Sequence, residues 1–138
     1  MAKSSSATRI FVFGSNLAGL HGAGSARAAV EKHGAKIGLG VGLCGNSYAI
    51  PTKDCYLEVL SLEVIQLHVE QFLDFALMRP DLQFDVVAIG CGLAGFTPEE
   101  IAPMFYPCPA NVHVPKEFEK ILEDMELKYI LKKPQVSE

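Results

Sequence analysis

Val86-Val87-Ala88-Ile89-Gly90-Cys91-Gly92-Leu93-Ala94-Gly95-Phe96 is an apolar run that empties into three closely spaced glycines. Four consecutive apolar residues bounded by glycine predict a short buried strand. A helix start follows at once, with Thr97 as N-cap, Pro98 at the first helical position and Glu100 completing a capping box. Glycine lets the backbone approach a ligand, and a helix N-terminus offers free N–H groups and a positive dipole end. The stretch therefore predicts half of a phosphate-binding cleft.

The same unit occurs earlier. Arg9–Phe13 is an apolar run, Gly14 to Gly24 is rich in glycine, and Ser25–His33 has the alanine content of a helix that Gly34 ends. Alternating strands and helices predict an α/β domain with three layers, its mixed and largely parallel sheet covered on both faces. Ligands in such sheets bind outside the carboxyl ends of the strands, so the two glycine loops are expected to face one another.

Between these units the reading is uneven. From Lys36 to Asn46 glycines 38, 40, 42 and 45 alternate with Leu39, Val41 and Leu43, which suits an edge strand or a loop equally. Ser47–Ile50 predicts a strand stopped by Pro51 and followed by Thr52, Lys53 and Asp54. Ser61–Arg79 predicts the longest helix, because Leu62, Ile65, Val69, Phe72 and Ala76 recur on one face. Phe84–Gly90 is the strand of the opening stretch, and the helix from Thr97 is kept short by Pro103 or by Pro107 and Pro109. Asn111–Val114 predicts a strand, Lys116–Met125 a helix, and Lys128–Leu131 a final strand. One domain is expected over residues 9–131, with flexible tails at 1–8 and 132–138.

At 138 residues, with 49% hydrophobic and 20% charged residues, the chain can bury a single core. Its net charge of −4 and scattered basic residues exclude a nucleic-acid polymer as partner. A small anion held by backbone N–H groups needs no basic patch. Cys44, Cys55, Cys91 and Cys108 form no C-x-x-C pair, and no apolar run reaches secretory or membrane-spanning length. Reduced thiols, a cytoplasmic location and no membrane partner are expected. Zinc spacings and a G-K-[ST] loop are absent, so no metal and no cofactor are expected. Gly90, Gly92 and Gly95 complete a G-x-G-x-x-G pattern, but no acidic residue closes a following βαβ unit.

Three motifs in order carry a resemblance: His21-Gly-Ala-Gly-Ser-Ala26, Tyr48-Ala-Ile-Pro-Thr-Lys53 and Ile89-Gly-Cys-Gly-Leu93. Together they resemble the macro-domain superfamily, in particular the branch of the terminal ADP-ribose protein glycohydrolase. Phe13-Gly-Ser-Asn-Leu-Ala-Gly19 and Ser47–Asp54 are also similar to a group of short bacterial and phage proteins. The resemblance implies a cleft for a small-molecule ligand of ADP-ribose type. Its diphosphate would lie between Gly22, Ala23, Gly24 and Ser25 on one side and Gly92, Leu93, Ala94, Gly95 and Phe96 on the other. It also implies Lys53 as a nucleophile at the ribose C1″, while Ala94 stands where that branch carries an assisting aspartate.

Each of these residues has a plainer reading. Lys53 competes with an ordinary lysine at a strand end or a phosphate partner. Asn16 suits the distal ribose or a left-handed turn position. Cys91 suits a reactive thiol or, more simply, a small packed residue. His21 suits a phosphate contact or an exposed loop. Phe13 reads as core, Phe96 as a ligand contact, Tyr48 and Tyr56 as packed, and Glu117, Glu119, Glu123, Asp124 and Glu126 as a solvated helix face. The functional expectation is binding of an ADP-ribosyl or related nucleotide diphosphate, with hydrolysis of ADP-ribosyl adducts open. The alternative is a non-catalytic interaction or sensing protein with a vestigial cleft.

Overall fold

Strand β1 (Thr8–Asn16) sends alternate apolar side chains to opposite faces, and this builds two cores. Ile10 and Val12 enter the larger core. Phe13, with Phe11 beside it, enters the smaller. A strand that is apolar on both sides needs a cover on each. Helix α1 (Gly24–Lys32) covers the Phe13 side through Ala26 and Ala29. Helix α2 (Leu62–Met78) covers the other through Ile65, Val69, Phe72 and Ala76, the face expected from their spacing. A computed structural model describes residues 8–132.

The sheet has the order β2-β3-β1-β4-β5, with β2 (Gly42–Cys44), β3 (Ser47–Lys53), β4 (Leu82–Val86) and β5 (Val112–His113). Only the β2–β3 pairing is antiparallel, so the fold is α/β with a mixed, largely parallel sheet. Ile101, Phe105 and Phe118 extend the larger core from α3 (Pro98–Ile101), a following 3-10 turn (Ala102–Phe105) and α4 (Lys116–Lys132). Phe72 is at the centre of this side, with ring centroids 5.0 Å from Tyr48 and 5.2 Å from Phe84. The opposite face of β4 and β5 carries polar side chains instead. There Arg9 donates two hydrogen bonds to Asp85, at 2.8 and 2.6 Å, and His113 meets Gln83 at 2.6 Å. Polar residues at these alternate positions suit a part of the sheet left to solvent.

Several boundaries differ from the sequence reading. β3 runs through Pro51 to Lys53. β2 pairs only with Ser47–Ala49, so Pro51 lies past its end, where a missing N–H breaks no ladder bond. β4 stops at Val86, because Ile89 N–H bonds to Val87 O and Cys91 N–H to Ala88 O, turning the chain. The alternating segment resolves into both readings, a loop over 36–41 and the edge strand β2. β5 is trimmed to two residues. Residues 128–131 form no strand but continue α4, where Leu, Lys and Glu favour the helix. Tyr48 is packed as expected, whereas Tyr56 is 83% exposed on a hairpin tip. The five acidic residues of α4 are exposed. Of the expected tails, 1–7 and 133–138 lie outside the described residues; Thr8 already belongs to β1 and Lys132 to α4.

Candidate functional site

β1 and β4 are parallel neighbours whose chains leave in opposite senses. After β1 the chain enters α1 over the smaller core, and after β4 it enters α3 over the larger one. Such a switch point opens a crevice at the carboxyl ends of the strands. A cleft of about 650 Å³ lies there, lined by Gly22–Ala26 after β1, by Gly90 and Gly92–Ala94 after β4, and by Thr52 and Lys53 at the end of β3.

The first loop is held from behind. The Asn16 side chain accepts from Leu20 N–H at 3.0 Å and donates to Leu20 O at 2.8 Å. Asn16 itself has extended backbone within β1, so the left-handed turn position does not apply; its amide serves the loop. Residues 38–40 back this loop so closely that a Cβ on Gly40 would stand 2.0 Å from Asn16 O. His21 is buried, 4% exposed, so the exposed-loop reading fails. Its Nε2–H donates to Leu39 O at 3.1 Å and its ring meets Phe13 edge-on at 5.4 Å, away from the cleft lining. Phe13 is core, as expected.

Helix α1 opens on the cleft without a side-chain cap. Its N-cap is Ala23, and no acidic residue occupies its first turn. By contrast Ser61 caps α2, accepting from Val64 N–H, and Thr97 with Glu100 caps α3. The anion site expected at Thr97 is therefore not available. α3 has four residues, and its capping box occupies the N–H groups of Thr97 and Glu100. Gly95 and Phe96 also fall outside the cleft lining. Phe96 N–H bonds to Gly90 O at 2.8 Å, and the Phe96 ring packs against the larger core. Gly22 and Gly92 line the cleft from the two loops. Neither has left-handed backbone, and a Cβ on either would touch nothing within 4 Å.

Lys53 lines the cleft at the end of β3 and forms no ion pair among the described residues. Asp54 next to it organises a tight hairpin. Its Oδ1 accepts from Tyr56 N–H at 2.8 Å and Glu58 N–H at 3.0 Å. Asp54 N–H bonds to Glu58 O, Leu57 N–H to Asp54 O, and Lys53 pairs with Val59. Leu57 closes this turn at φ +67, a left-handed conformation that costs a side-chain-bearing residue about 1–2 kcal/mol. No carboxylate lines the cleft, and Lys53 is the one charged residue that does, among the described residues. Ala94 lines it as well.

Cys91 is outside the lining, its thiol donating weakly to Ile89 O at 3.6 Å. Burial, and then the carboxylates of Glu117, Glu99 and Glu100, push the Cys91 thiol up, the wrong direction for a nucleophile. All four cysteines are free, and no group of three or more His, Cys, Asp or Glu is placed to hold a metal among the described residues. No described helix is long and apolar enough to cross a membrane.

Asn16, Gly22, Ala23, Gly24, Ser25, Lys53, Gly92, Leu93 and Ala94 thus share one cleft, and sequence reasoning overlooked Ser15, Leu20, Thr52 and Leu57, which line it too. For Leu57 a signal existed: Asp54 three residues earlier is a favoured first residue of a type I turn. Comparison with known protein families, with curated proteins and with solved structures gives no match.

Proposed function

We propose that the cleft binds ADP-ribose or a related nucleotide diphosphate of the kind macro domains recognise, and does so without turnover. One observation carries this reading. Gly22 and Gly92, which line the cleft from its two loops, are glycines the fold does not need, since neither has positive φ nor backs onto another group. Glycine destabilises by conformational entropy, so its place here is best accounted for by the close approach of a ligand to the backbone. The uncapped first turn of α1 supplies N–H donors beside Gly22, and Lys53 supplies one positive charge.

A lysine attack at the ribose C1″ needs a base or a depressed ammonium pKa. Among the described residues Lys53 has no carboxylate partner, Asp54 is tied into its hairpin and Ala94 is inert, so binding is the reading favoured over hydrolysis. Calorimetric titration with ADP-ribose, with AMP and ADP beside it, tests the proposal. Binding of ADP-ribose without its release from ADP-ribosylated protein is the expected result. No heat and no thermal shift with any of the three would overturn it, and release of ADP-ribose that Lys53→Ala abolishes would restore the hydrolytic reading.

A further inference from the structure

Among the described residues, left-handed backbone is held by eight glycines and by one other residue, Leu57. The loop around it is a hydrogen-bonded turn, Asp54 to Leu57, with the left-handed residue placed just before Glu58, whose carbonyl accepts from Asp54 N–H, and Val59, which bridges back to Lys53. That left-handed position belongs to glycine by default. A chain with twelve glycines carries leucine there, and the side chain does not retreat into the core. It is 47% exposed and lines the cleft beside Lys53. A strained, exposed residue that lines a cleft argues that its side chain is wanted there.

A second observation agrees. Two other exposed leucines line the same cleft from separate loops, Leu20 at 52% and Leu93 at 78% exposure. A single exposed leucine needs no explanation, but here three converge on a cleft otherwise made mainly of small residues. We propose that Leu57 is a specificity-determining residue of the cleft. With Leu20 and Leu93 it forms an apolar clamp on the sugar or base ring that a nucleotide diphosphate carries. The glycine walls alone would accept any diphosphate; the clamp adds the preference for one bearing a ring. The Asp54 hydrogen bonds hold Leu57 in place before the ligand arrives, so little is lost in ordering it. This inference rests on the nucleotide-diphosphate reading of the site.

The test uses the full chain, Leu57→Gly and Leu57→Asn, titrated with ADP-ribose, ADP and pyrophosphate, together with Tm without ligand. Both replacements accept left-handed backbone, so Tm is expected to hold or rise. ADP-ribose affinity is expected to fall about tenfold in both, the loss of a half-buried leucine contact, while any pyrophosphate binding is unchanged. A loss shared by ADP assigns the clamped ring to the base, and a loss confined to ADP-ribose assigns it to the terminal ribose; either supports the clamp. Variant affinities within about twofold of wild type, an equal loss for pyrophosphate, or a marked drop in Tm would overturn it. Wild type that binds none of the three removes the nucleotide reading and the clamp together, whereas wild type that binds alongside unaffected variants removes only the clamp.

Discussion

The amide of Asn16 holds both backbone groups of Leu20, accepting from its N–H at 3.0 Å and donating to its carbonyl at 2.8 Å. One side chain thereby fixes the bend that carries the chain from β1 towards the cleft wall at Gly22. Asn16→Ala removes both bonds and is expected to cost about 1–2 kcal/mol in urea unfolding. Asn16→Asp sets an oxygen against the Leu20 carbonyl and should do no better. Amide exchange over residues 17–22 is expected to quicken in both variants while α2 keeps its protection. Unchanged exchange in that loop would show that the segment 38–40 alone suffices to hold it.

Gly22→Ala separates fold from ligand. The added Cβ meets nothing within 4 Å and the backbone is not left-handed, so stability should rise by up to about 1 kcal/mol as the unfolded chain loses freedom. The same methyl group fills space that a diphosphate would enter, so ADP-ribose binding is expected to weaken at least about tenfold. Gly92→Ala should repeat this from the other loop. A variant that gains stability and keeps full affinity would move the ligand elsewhere.

Much of the fold was legible because burial and periodicity coincide. Ile65, Val69, Phe72 and Ala76 recur at helical spacing and are all buried, and Ser61 caps the helix they form. The capping box of Thr97 and Glu100 was equally legible, yet that box occupies the very N–H groups expected to meet an anion. Local sequence reports that a helix begins; it does not report which cleft its first turn faces or how soon the helix ends. The same limit concealed His21, which is buried only because residues 38–40, distant in sequence, fold back over its loop. Pro51 misled for a related reason, since a proline ends a strand only where the N–H it lacks would have had a ladder partner. Leu57 was half legible: Asp54 marks the start of a turn, but a leucine at its left-handed position contradicts the propensity by which turns are found.

Phe72 joins the sheet to the 3-10 turn, its ring meeting Tyr48, Phe84 and Phe105. It is fully buried. Phe72→Ala is expected to cost about 3–5 kcal/mol, and Phe72→Leu distinctly less because most of the volume is kept. Chemical denaturation gives both values. Near-equal costs would mean that the core collapses around the gap.

Arg9 beside Asp85 holds the Asp85 carboxyl below the usual carboxylate range, its hydrogen bond acting more strongly than the opposing effect of burial. A carboxyl lowered in the folded state contributes stability above its unfolded pKa of about 3.9, and that contribution disappears as pH falls through the folded value. Both side chains are largely exposed, so the increment is small and screened by salt. Asp85→Asn should therefore lower Tm slightly at pH 7, and the difference from wild type should close towards pH 2–3. A gap that persists at low pH would assign the loss to packing rather than charge.

The four thiols differ in reach. Cys55 is exposed on the Asp54 hairpin, whereas Cys108 is half-buried, its thiol bonded to Val112 O at 3.5 Å and pushed up to about 11 by burial. The Cys91 thiol is also raised by burial and by nearby carboxylates. Only the thiolate attacks an alkylating reagent, so at pH 8 these two should be slow for want of both access and charge. Peptide mass spectrometry after iodoacetamide treatment is expected to find Cys55 modified first, with Cys91 and Cys108 modified only once urea opens the fold. Cys91 borders the loop that carries Gly92. Its rapid labelling in the folded protein would mean that the second wall of the cleft opens spontaneously, and a site that depends on rigid backbone donors could not then be sustained.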